Sequence, residues 1–424
     1  MSVPTRAYRV YLALSFGHRL AFYTYATMSL VYQVSLVGLN PLQLVLVGTV
    51  LEASYFLLEI PTGVVADVYS RRLSILIGLI LTGLGFILAG AIPRFDTLLL
   101  SQVIWGCGAT FLSGATEAWI ADELAHQQAV ANTAAPCPEA PVLGHVYLRG
   151  TQAAQAGALI GIGLSVVLAS MSIPMPLVVG GVLYLLLALG LAWVMPEQGF
   201  HGTSPENRGS WQAMFHTARQ GLQLVHKSSA LQALLVIGIF LGAWSEGFDR
   251  LWTKYLLDHF TLPPLGSFKP VVWFGIIEAV SMILTLGMSE LTRRRVDTQS
   301  QAIVHALFVF NVLLMGSVIV FALSPTFIMA LIALWVATAL RATYTPLYTT
   351  WLNQHTTSNV RATILSIAGQ ADSMGQIVGG PAVGIIGTLS TVRAALLASG
   401  LMLLPASLLY GRAQSRQTDT DEPS

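Results

Sequence analysis

The chain has 424 residues, of which 54% are hydrophobic and only 10% are charged. An ordinary soluble domain has roughly 25% charged residues, so this composition is typical of a membrane protein. The net charge of +1 offers no basic surface for nucleic acid, so we expect no nucleic-acid partner. The two cysteines lack the spacing of a metal site, so we expect no bound metal.

Twelve apolar blocks, each long enough to cross a bilayer as an α-helix, follow one another along the chain. The first six are residues 8–34, 44–66, 73–92, 98–121, 146–171 and 177–195, and the second six are residues 231–257, 271–291, 303–323, 327–351, 363–387 and 392–410. We therefore predict an all-α membrane protein whose twelve transmembrane helices form two pseudo-symmetric six-helix bundles. The predicted bundles are residues 1–195 and 230–411, with a linker at 196–229 and a tail at 412–424.

The predicted linker and the distribution of positive charge bear on orientation. Apolar residues recur at helical spacing from Trp211 to Val225, which predicts an amphipathic helix, either on the inner membrane surface or under the bundle. Most Lys and Arg residues fall on the side of the membrane that both termini share, so the positive-inside rule predicts cytoplasmic termini. The first span is too long for the core of a signal peptide, and we expect no cleavage.

The two halves of the chain resemble each other, which indicates an internal duplication. Arg19 corresponds to Arg250, and Glu52 corresponds to Glu278, at matching positions of the predicted spans. Such repeats usually enclose a binding site near the middle of the membrane and rock about it. The two glutamates either take part in transport or pair with the arginines of the neighbouring helices.

The loop after the second predicted span contains the most specific pattern in the sequence, Gly63-Val-Val-Ala-Asp67-Val-Tyr-Ser70-Arg71-Arg72. It resembles the signature loop of the major facilitator superfamily, G-x-x-x-D-x-x-G-R-[RK], with Ser70 in place of the second glycine. In that family an acid at the cytoplasmic end of the fourth helix joins the loop. The resemblance therefore implies an inner gate formed by Gly63, Asp67, Arg71, Arg72 and either Asp122 or Glu123.

The resemblance covers essentially the whole chain, and it implies the major facilitator fold and secondary transport of a small molecule. The segments EIPTGVVADVYSRR and SGATEAWIADE look most like those of the bacterial drug:proton antiporters, which include macrolide and tetracycline exporters. The resemblance thus implies a multi-pass protein of the bacterial plasma (inner) membrane, with protons, a small molecule and the lipid bilayer as its partners. We expect a monomer, because alternating access in this fold needs no oligomer.

Ionisable residues inside a membrane are costly, and they are functional candidates for that reason. Proton coupling needs a carboxyl group that can be protonated near neutral pH and a partner that switches with conformation. Glu117 and Asp372 suit this role best, because each lies on a short polar stripe of its helix. The other coupling candidates are Glu52, Glu246, Asp249 and Glu278.

Helical spacing also suggests structural roles for some of these residues. Glu246, Asp249 and Arg250 fall on one face of a single helix, so we expect an internal ion pair there, as an alternative to coupling. His18 is either a proton relay or a hydrogen-bonded packing group.

Two stripes mix aromatic and polar side chains at helical spacing, and such surfaces suit amphipathic organic substrates. The alternative role of the same stripes is packing between helices. One stripe includes His18, Phe22 and Tyr25, and the other includes Arg341, Tyr344 and Tyr348. Together with Arg19 and Arg250, these residues are the substrate-cavity candidates.

The sequence contains no phosphate-binding loop, nucleotide motif, metal cluster or nucleophile elbow, so we expect neither an enzyme nor a cofactor. Our leading hypothesis is proton-coupled efflux of amphipathic drugs or metabolites by alternating access, with Glu117 and Asp372 as the first proton candidates. One alternative is a proton-coupled importer of an anionic metabolite that Arg19, Arg250 and Arg341 bind. Another is a transport-inactive membrane sensor.

Overall fold

The computed structural model describes residues 6–134, 143–200, 225, 228–295, 300–354, 356 and 361–421, and these residues are almost entirely helical. The helices of the first half are α1 (Arg6–Ser35), α2 (Pro41–Val68), α3 (Arg71–Ala91), α4 (Phe95–Leu112), α5 (Ala115–Ala134), α6 (Leu143–Met171) and α7 (Met175–Val194). Those of the second half are α8 (Ser229–His259), α9 (Val272–Arg295), α10 (Ser300–Leu323), α11 (Phe327–Gln354), α12 (Arg361–Leu389), α13 (Val392–Leu401) and α14 (Leu404–Asp421). The all-α prediction is confirmed.

Within the described residues, ten helical segments are long and apolar enough to cross a membrane. Helices α1 and α12 are not among them, although they have 30 and 29 residues, and both carry several polar side chains along their length. The predicted arrangement of twelve spans in two bundles stays a prediction. The amphipathic helix predicted in the linker lies outside the described residues, except for the buried Val225.

Two of the predicted spans are each divided into two helices. The fourth predicted span is split between α4 and α5 at Ser113 and Gly114, and Gly114 has a φ of 69°. Glycine adopts this left-handed conformation without the steric cost that a side chain would bring. The last predicted span is split between α13 and α14 at residues 402–403.

The helices form two compact units, the first comprising Met1–Gly38 and Val50–Arg208 and the second Leu39–Thr49 and Gly209–Ser424. In the first unit α1 packs against α6 and α7, and α3 packs against α4 and α7. In the second unit α8 packs against α12, and α11 packs against both α9 and α10.

Glycines bring α8 and α12 into backbone contact within the second unit. A Cβ atom added to Gly242 would lie 2.0 Å from the backbone oxygen of Asp372, and one added to Gly375 would lie 2.0 Å from the backbone oxygen of Ile239. Since no side chain fits at either position, these glycines set the distance between the two helices. They also set the position of Asp372 on α12.

Candidate functional site

An ion pair between α8 and α11 lies at the centre of the candidate site in the second unit. Arg341 on α11 donates from Nη1 to both carboxylate oxygens of Asp249 on α8, at 2.6 and 2.7 Å. The two side chains are 39% and 41% exposed, so water or a ligand can reach them. The guanidinium carbon also lies 5.1 Å from the ring centroid of Trp244, a distance suited to a cation–π contact.

Two cavities of the second unit meet at this ion pair, because Arg341 and Trp244 line both of them. The smaller cavity has a volume of about 140 Å³, and its lining includes Asp249 and Glu278. The larger cavity has a volume of about 330 Å³, and its lining includes Asp372. The structure thus brings three of the predicted coupling acids and one predicted cavity arginine together around two adjacent cavities.

A second ion pair, formed within α8, is packed differently. Arg250 donates from Nε to Glu246 at 3.0 Å, and the Glu246 side chain is only 3% exposed. Gly48, in the stretch Leu39–Thr49 that belongs to this unit, leaves room for the pair, since a Cβ atom there would clash with both side chains. The expected pair within this helix face therefore exists, but Asp249 bonds to another helix.

Aromatic rings form one wall of the larger cavity. Tyr344 and Tyr348 lie nearly parallel, with ring centroids 6.2 Å apart and an interplanar angle of 16°. The hydroxyl of Tyr344 is hydrogen-bonded to that of Tyr410, and the hydroxyl of Tyr348 donates to the backbone oxygen of Leu234 at 2.7 Å. Both hydroxyl groups are thus satisfied by the protein, and the rings line the cavity as apolar surfaces.

Asp372 is the acidic group of the larger cavity. Its Oδ2 atom accepts a hydrogen bond from Nε2 of Gln376 at 2.8 Å, one turn further along α12. Among the described residues, no Lys, Arg or His nitrogen lies within 4.0 Å of its carboxylate. Asp372 is therefore a half-buried carboxylate with one neutral donor.

The candidate residues of the first unit are arranged mainly for packing. Tyr25 is buried and stacks on Phe86, with ring centroids 3.6 Å apart and an interplanar angle of 12°. Phe22 packs against Trp105, and the hydroxyl of Tyr184 lies 3.2 Å from Nδ1 of His18. Three further candidates lie outside this aromatic cluster, with Arg19 and Glu117 exposed and Glu52 half-buried.

The signature loop forms a polar network with its neighbours in the first unit. Arg71 makes an ion pair with Asp122 and donates to the backbone oxygen of Ala118 at 2.6 Å. Ser70 caps α3, since its Oγ accepts from the backbone of Leu73 at 2.9 Å. Of the two acids proposed for this position, Asp122 is the partner of Arg71. Asp67 is exposed, and a Cβ atom at Gly63 would meet no atom of the described residues within 4 Å.

Glu197, shortly after the end of α7, belongs to this network although sequence reasoning did not identify it. Its carboxylate accepts from Oγ of Ser70 at 2.7 Å and from the backbone N–H of Arg72 at 2.9 Å. Glu123 is buried and accepts from the backbone N–H groups of Gln198 and Gly199 at 2.5 and 2.7 Å. The segment after α7 is thus held from two sides. Its signal in the sequence was an acid shortly after a predicted span.

Comparison with known proteins shows the family. The Major Facilitator Superfamily matches residues 11–311, which is more than half of the chain. The chain belongs to the Major Facilitator Superfamily. This facilitator is similar to the protein named "Uncharacterized MFS-type transporter YxaM" of Bacillus subtilis (strain 168), with 21% identity over 371 residues that cover 87% of this chain and 86% of the relative. It is a multi-pass membrane transport protein and not an enzyme.

Solved transporter structures share the fold of this facilitator. A point mutant of the nucleoside transporter NupG has a TM-score of 0.78 at 15% identity, covering 96% of this chain and 99% of that chain. A bacterial homologue of the human lysosomal transporter Spinster, inward-facing and unoccupied, has a TM-score of 0.74 at 16% identity and covers 100% of both chains. A POT family transporter in complex with 5-aminolevulinic acid has a TM-score of 0.73 at 12% identity, covering 97% of both. At these identities the similarity concerns the fold alone.

Proposed function

We propose that this facilitator is a proton-coupled secondary transporter that exports amphipathic drugs or metabolites by alternating access. The observation that carries the proposal is the ion pair between Asp249 and Arg341 at the junction of two cavities. A carboxylate that is reachable from a cavity can take up a proton, and its arginine partner is then free to bind elsewhere. Proton uptake would thereby change a contact between α8 and α11.

The neighbouring acids give the freed arginine somewhere to go. Glu278 lines the smaller cavity together with Arg341, and Asp372 lines the larger cavity together with Arg341. A shift of Arg341 from Asp249 toward either acid would alter the charge of both cavities. A ligand shifts a conformational equilibrium only by binding two states differently, and a proton on Asp249 meets this condition.

The larger cavity supports an amphipathic organic substrate. Its volume of about 330 Å³ falls within the usual range for small-molecule sites, roughly 300 to 1,000 Å³. Its lining combines the rings of Trp244, Tyr344 and Tyr348 with the charged groups of Arg341 and Asp372. Export rather than import is supported by the resemblance of the loop after the second span to that of drug:proton antiporters.

The alternative of an importer for an anionic metabolite has less support. Arg341 already has Asp249 as its partner, and Arg250 has Glu246, so carboxylates neutralise both cations. Arg19 is exposed in the first unit. To bind Arg341 or Arg250, an anion would have to displace the carboxylate that is already hydrogen-bonded to it. That displacement breaks charge-assisted hydrogen bonds.

We also propose a membrane location, an oligomeric state and an orientation for the protein. We place it in the bacterial plasma membrane as a monomer surrounded by lipid, with both termini in the cytoplasm. The support is the concentration of Lys and Arg on the side that the termini share.

The experiment measures accumulation of fluorescent and tritiated amphipathic compounds in inverted membrane vesicles with an imposed proton gradient. Wild type is compared with Asp249→Asn and with Asp258→Asn, a matched control at the end of α8 that lines neither cavity. We expect gradient-dependent accumulation in wild type and in the control, and its loss in Asp249→Asn. Accumulation only in right-side-out vesicles would contradict export. Accumulation that survives Asp249→Asn would contradict coupling through this pair, and no accumulation of any compound would contradict the transport proposal.

A further inference from the structure

We propose that the substrate of the larger cavity is an organic cation, a protonated amine with an apolar body, and that the carboxylate of Asp372 binds its ammonium group. This inference rests on the proposed transport function and specifies its substrate class. It depends on the charge balance of the cavity, on the free hydrogen-bonding capacity of Asp372 and on the chemistry of the cavity walls.

The charge around the larger cavity is negative once Asp249, the ion-pair partner of Arg341, is counted with the lining. Arg341 and Asp372 are its charged lining residues, and the charge of Arg341 is already taken up by both carboxylate oxygens of Asp249. Asp372 receives a hydrogen bond from the neutral amide of Gln376 and, within the described part of the chain, has no cation in contact. A cavity lined by uncompensated negative charge concentrates cations and disfavours anions.

The smaller cavity reinforces this charge. Glu278 lines it together with Asp249 and Arg341, and no ion pair of Glu278 occurs among the described residues. The two adjacent cavities are therefore lined by three carboxyl groups and one guanidinium group. Even with one carboxyl protonated, the lining keeps an excess of negative charge.

Asp372 has the hydrogen-bonding capacity that an ammonium group requires. An ionised carboxylate has about four lone-pair positions, and Gln376 occupies one of them. The close contact of Gly242 with the backbone of Asp372 fixes the base of this side chain. An ammonium group that enters the cavity thus finds an acceptor whose position is already set.

The walls of the cavity suit the rest of an amphipathic amine. The hydroxyls of Tyr344 and Tyr348 are bound by the protein, so their rings offer faces rather than donors. Aromatic faces attract cations and pack against flat apolar groups. The remaining lining is largely apolar and includes Leu241, Leu314 and Leu365. A small aromatic amine therefore matches both the carboxylate of Asp372 and the aromatic and apolar walls of the cavity.

The experiment compares three probes that share a naphthalene body and differ in charge at neutral pH. They are 1-naphthylmethylamine, which is a cation, 1-naphthylmethanol, which is neutral, and 1-naphthoate, which is an anion. Binding to the purified full-length protein is measured by equilibrium dialysis. We expect wild type to bind the amine about tenfold or more tightly than either other probe, as a charge-assisted hydrogen bond allows.

Three variants test the role of Asp372. Asp372→Asn should weaken amine binding to the level of the alcohol and leave alcohol binding unchanged, which also shows that the variant is folded. Asp372→Glu should restore part of the preference, because it keeps the charge. Asp258→Asn, whose wild-type carboxylate pairs with Lys254 at 3.1 Å away from both cavities, should bind all probes like wild type.

Several results would overturn the inference. They are tighter binding of the naphthoate than of the amine, a preference for the amine that survives Asp372→Asn, and no binding of any of the three probes. Because binding is measured without a gradient, the two proposals fail separately. Amine preference without proton-driven flux in vesicles would refute coupled export alone, whereas coupled flux of neutral or anionic compounds would refute only the cation assignment.

Discussion

Replacing Gly242 by alanine tests whether the close contact of α8 with α12 positions Asp372. The added Cβ atom would lie 2.0 Å from the backbone oxygen of Asp372 and 3.1 Å from the backbone nitrogen of Gln376. Non-bonded heavy atoms prefer separations of about 3.5 Å or more, so the two helices must move apart locally by roughly 1.5 Å. The atoms in the way belong to the backbone, and a side-chain rotation cannot relieve the clash. Overpacking of this kind costs about 1 to 3 kcal/mol.

The matched control is Gly287→Ala on α9, where an added Cβ atom would meet nothing within 4 Å. Alanine is favoured over glycine inside a helix by about 1 kcal/mol, so the control should be slightly stabilised. Unfolding by SDS in mixed micelles is followed by circular dichroism. The SDS mole fraction at the unfolding midpoint should fall for Gly242→Ala and rise slightly for Gly287→Ala. Gly242→Ala should also bind 1-naphthylmethylamine more weakly. If Gly242→Ala were as stable as wild type and bound the amine equally well, the proposed contact would not position Asp372.

Three further predictions concern an ion pair, the cytoplasmic network and a helix break. A double-mutant cycle of Asp249→Asn and Arg341→Gln, measured by the same unfolding, should give a coupling energy of about 1 to 3 kcal/mol; a value near zero would mean that the pair does not contribute. Glu197→Gln should speed hydrogen exchange of the backbone amides at the start of α3, because its carboxylate accepts one of them, and unchanged exchange would contradict this. Gly114→Ala should lower the free energy of unfolding by about 1 to 2 kcal/mol, because Gly114 has a φ of 69°. The control is Gly163→Ala, where the space for a Cβ atom is open, and equal stability of the two variants would be evidence against strain at Gly114.

The helices were predictable because the membrane sets their length and composition. The fifth predicted span, residues 146–171, corresponds to the helix Leu143–Met171, and the other undivided spans agree with their helices to a similar degree. The breaks at Gly114 and at residues 402–403 were not predicted, since an apolar run looks the same in a continuous helix and in a divided one. The left-handed conformation of a single glycine leaves no periodic signal.

The candidate site was predictable in its residue types but not in its pairing. Because a charged side chain inside the membrane is costly, any ionisable residue within a predicted span is a functional candidate. This criterion identified Asp249, Glu278, Arg341 and Asp372. Helical spacing reaches only three or four residues, so it predicted an ion pair within this face of α8, and the structure forms it between Glu246 and Arg250. The bond from Arg341 to Asp249 joins residues 92 positions apart, and only the packing of α11 near α8 creates it.

The arrangement of the two ion pairs on α8 separates a structural contact from a movable one. Glu246 and Arg250 belong to the same helix, and Glu246 is almost completely buried, so their contact persists however α8 moves as a rigid body. Asp249 and Arg341 belong to different helices. Asp249 lines the smaller cavity and Arg341 lines both, so a change in the relation of α8 to α11 must break or re-form their contact. A proton on Asp249 weakens the second contact and leaves the first intact. In the proposed mechanism, coupling therefore belongs to the pair that crosses between helices, although both pairs place a carboxylate of α8 beside an arginine.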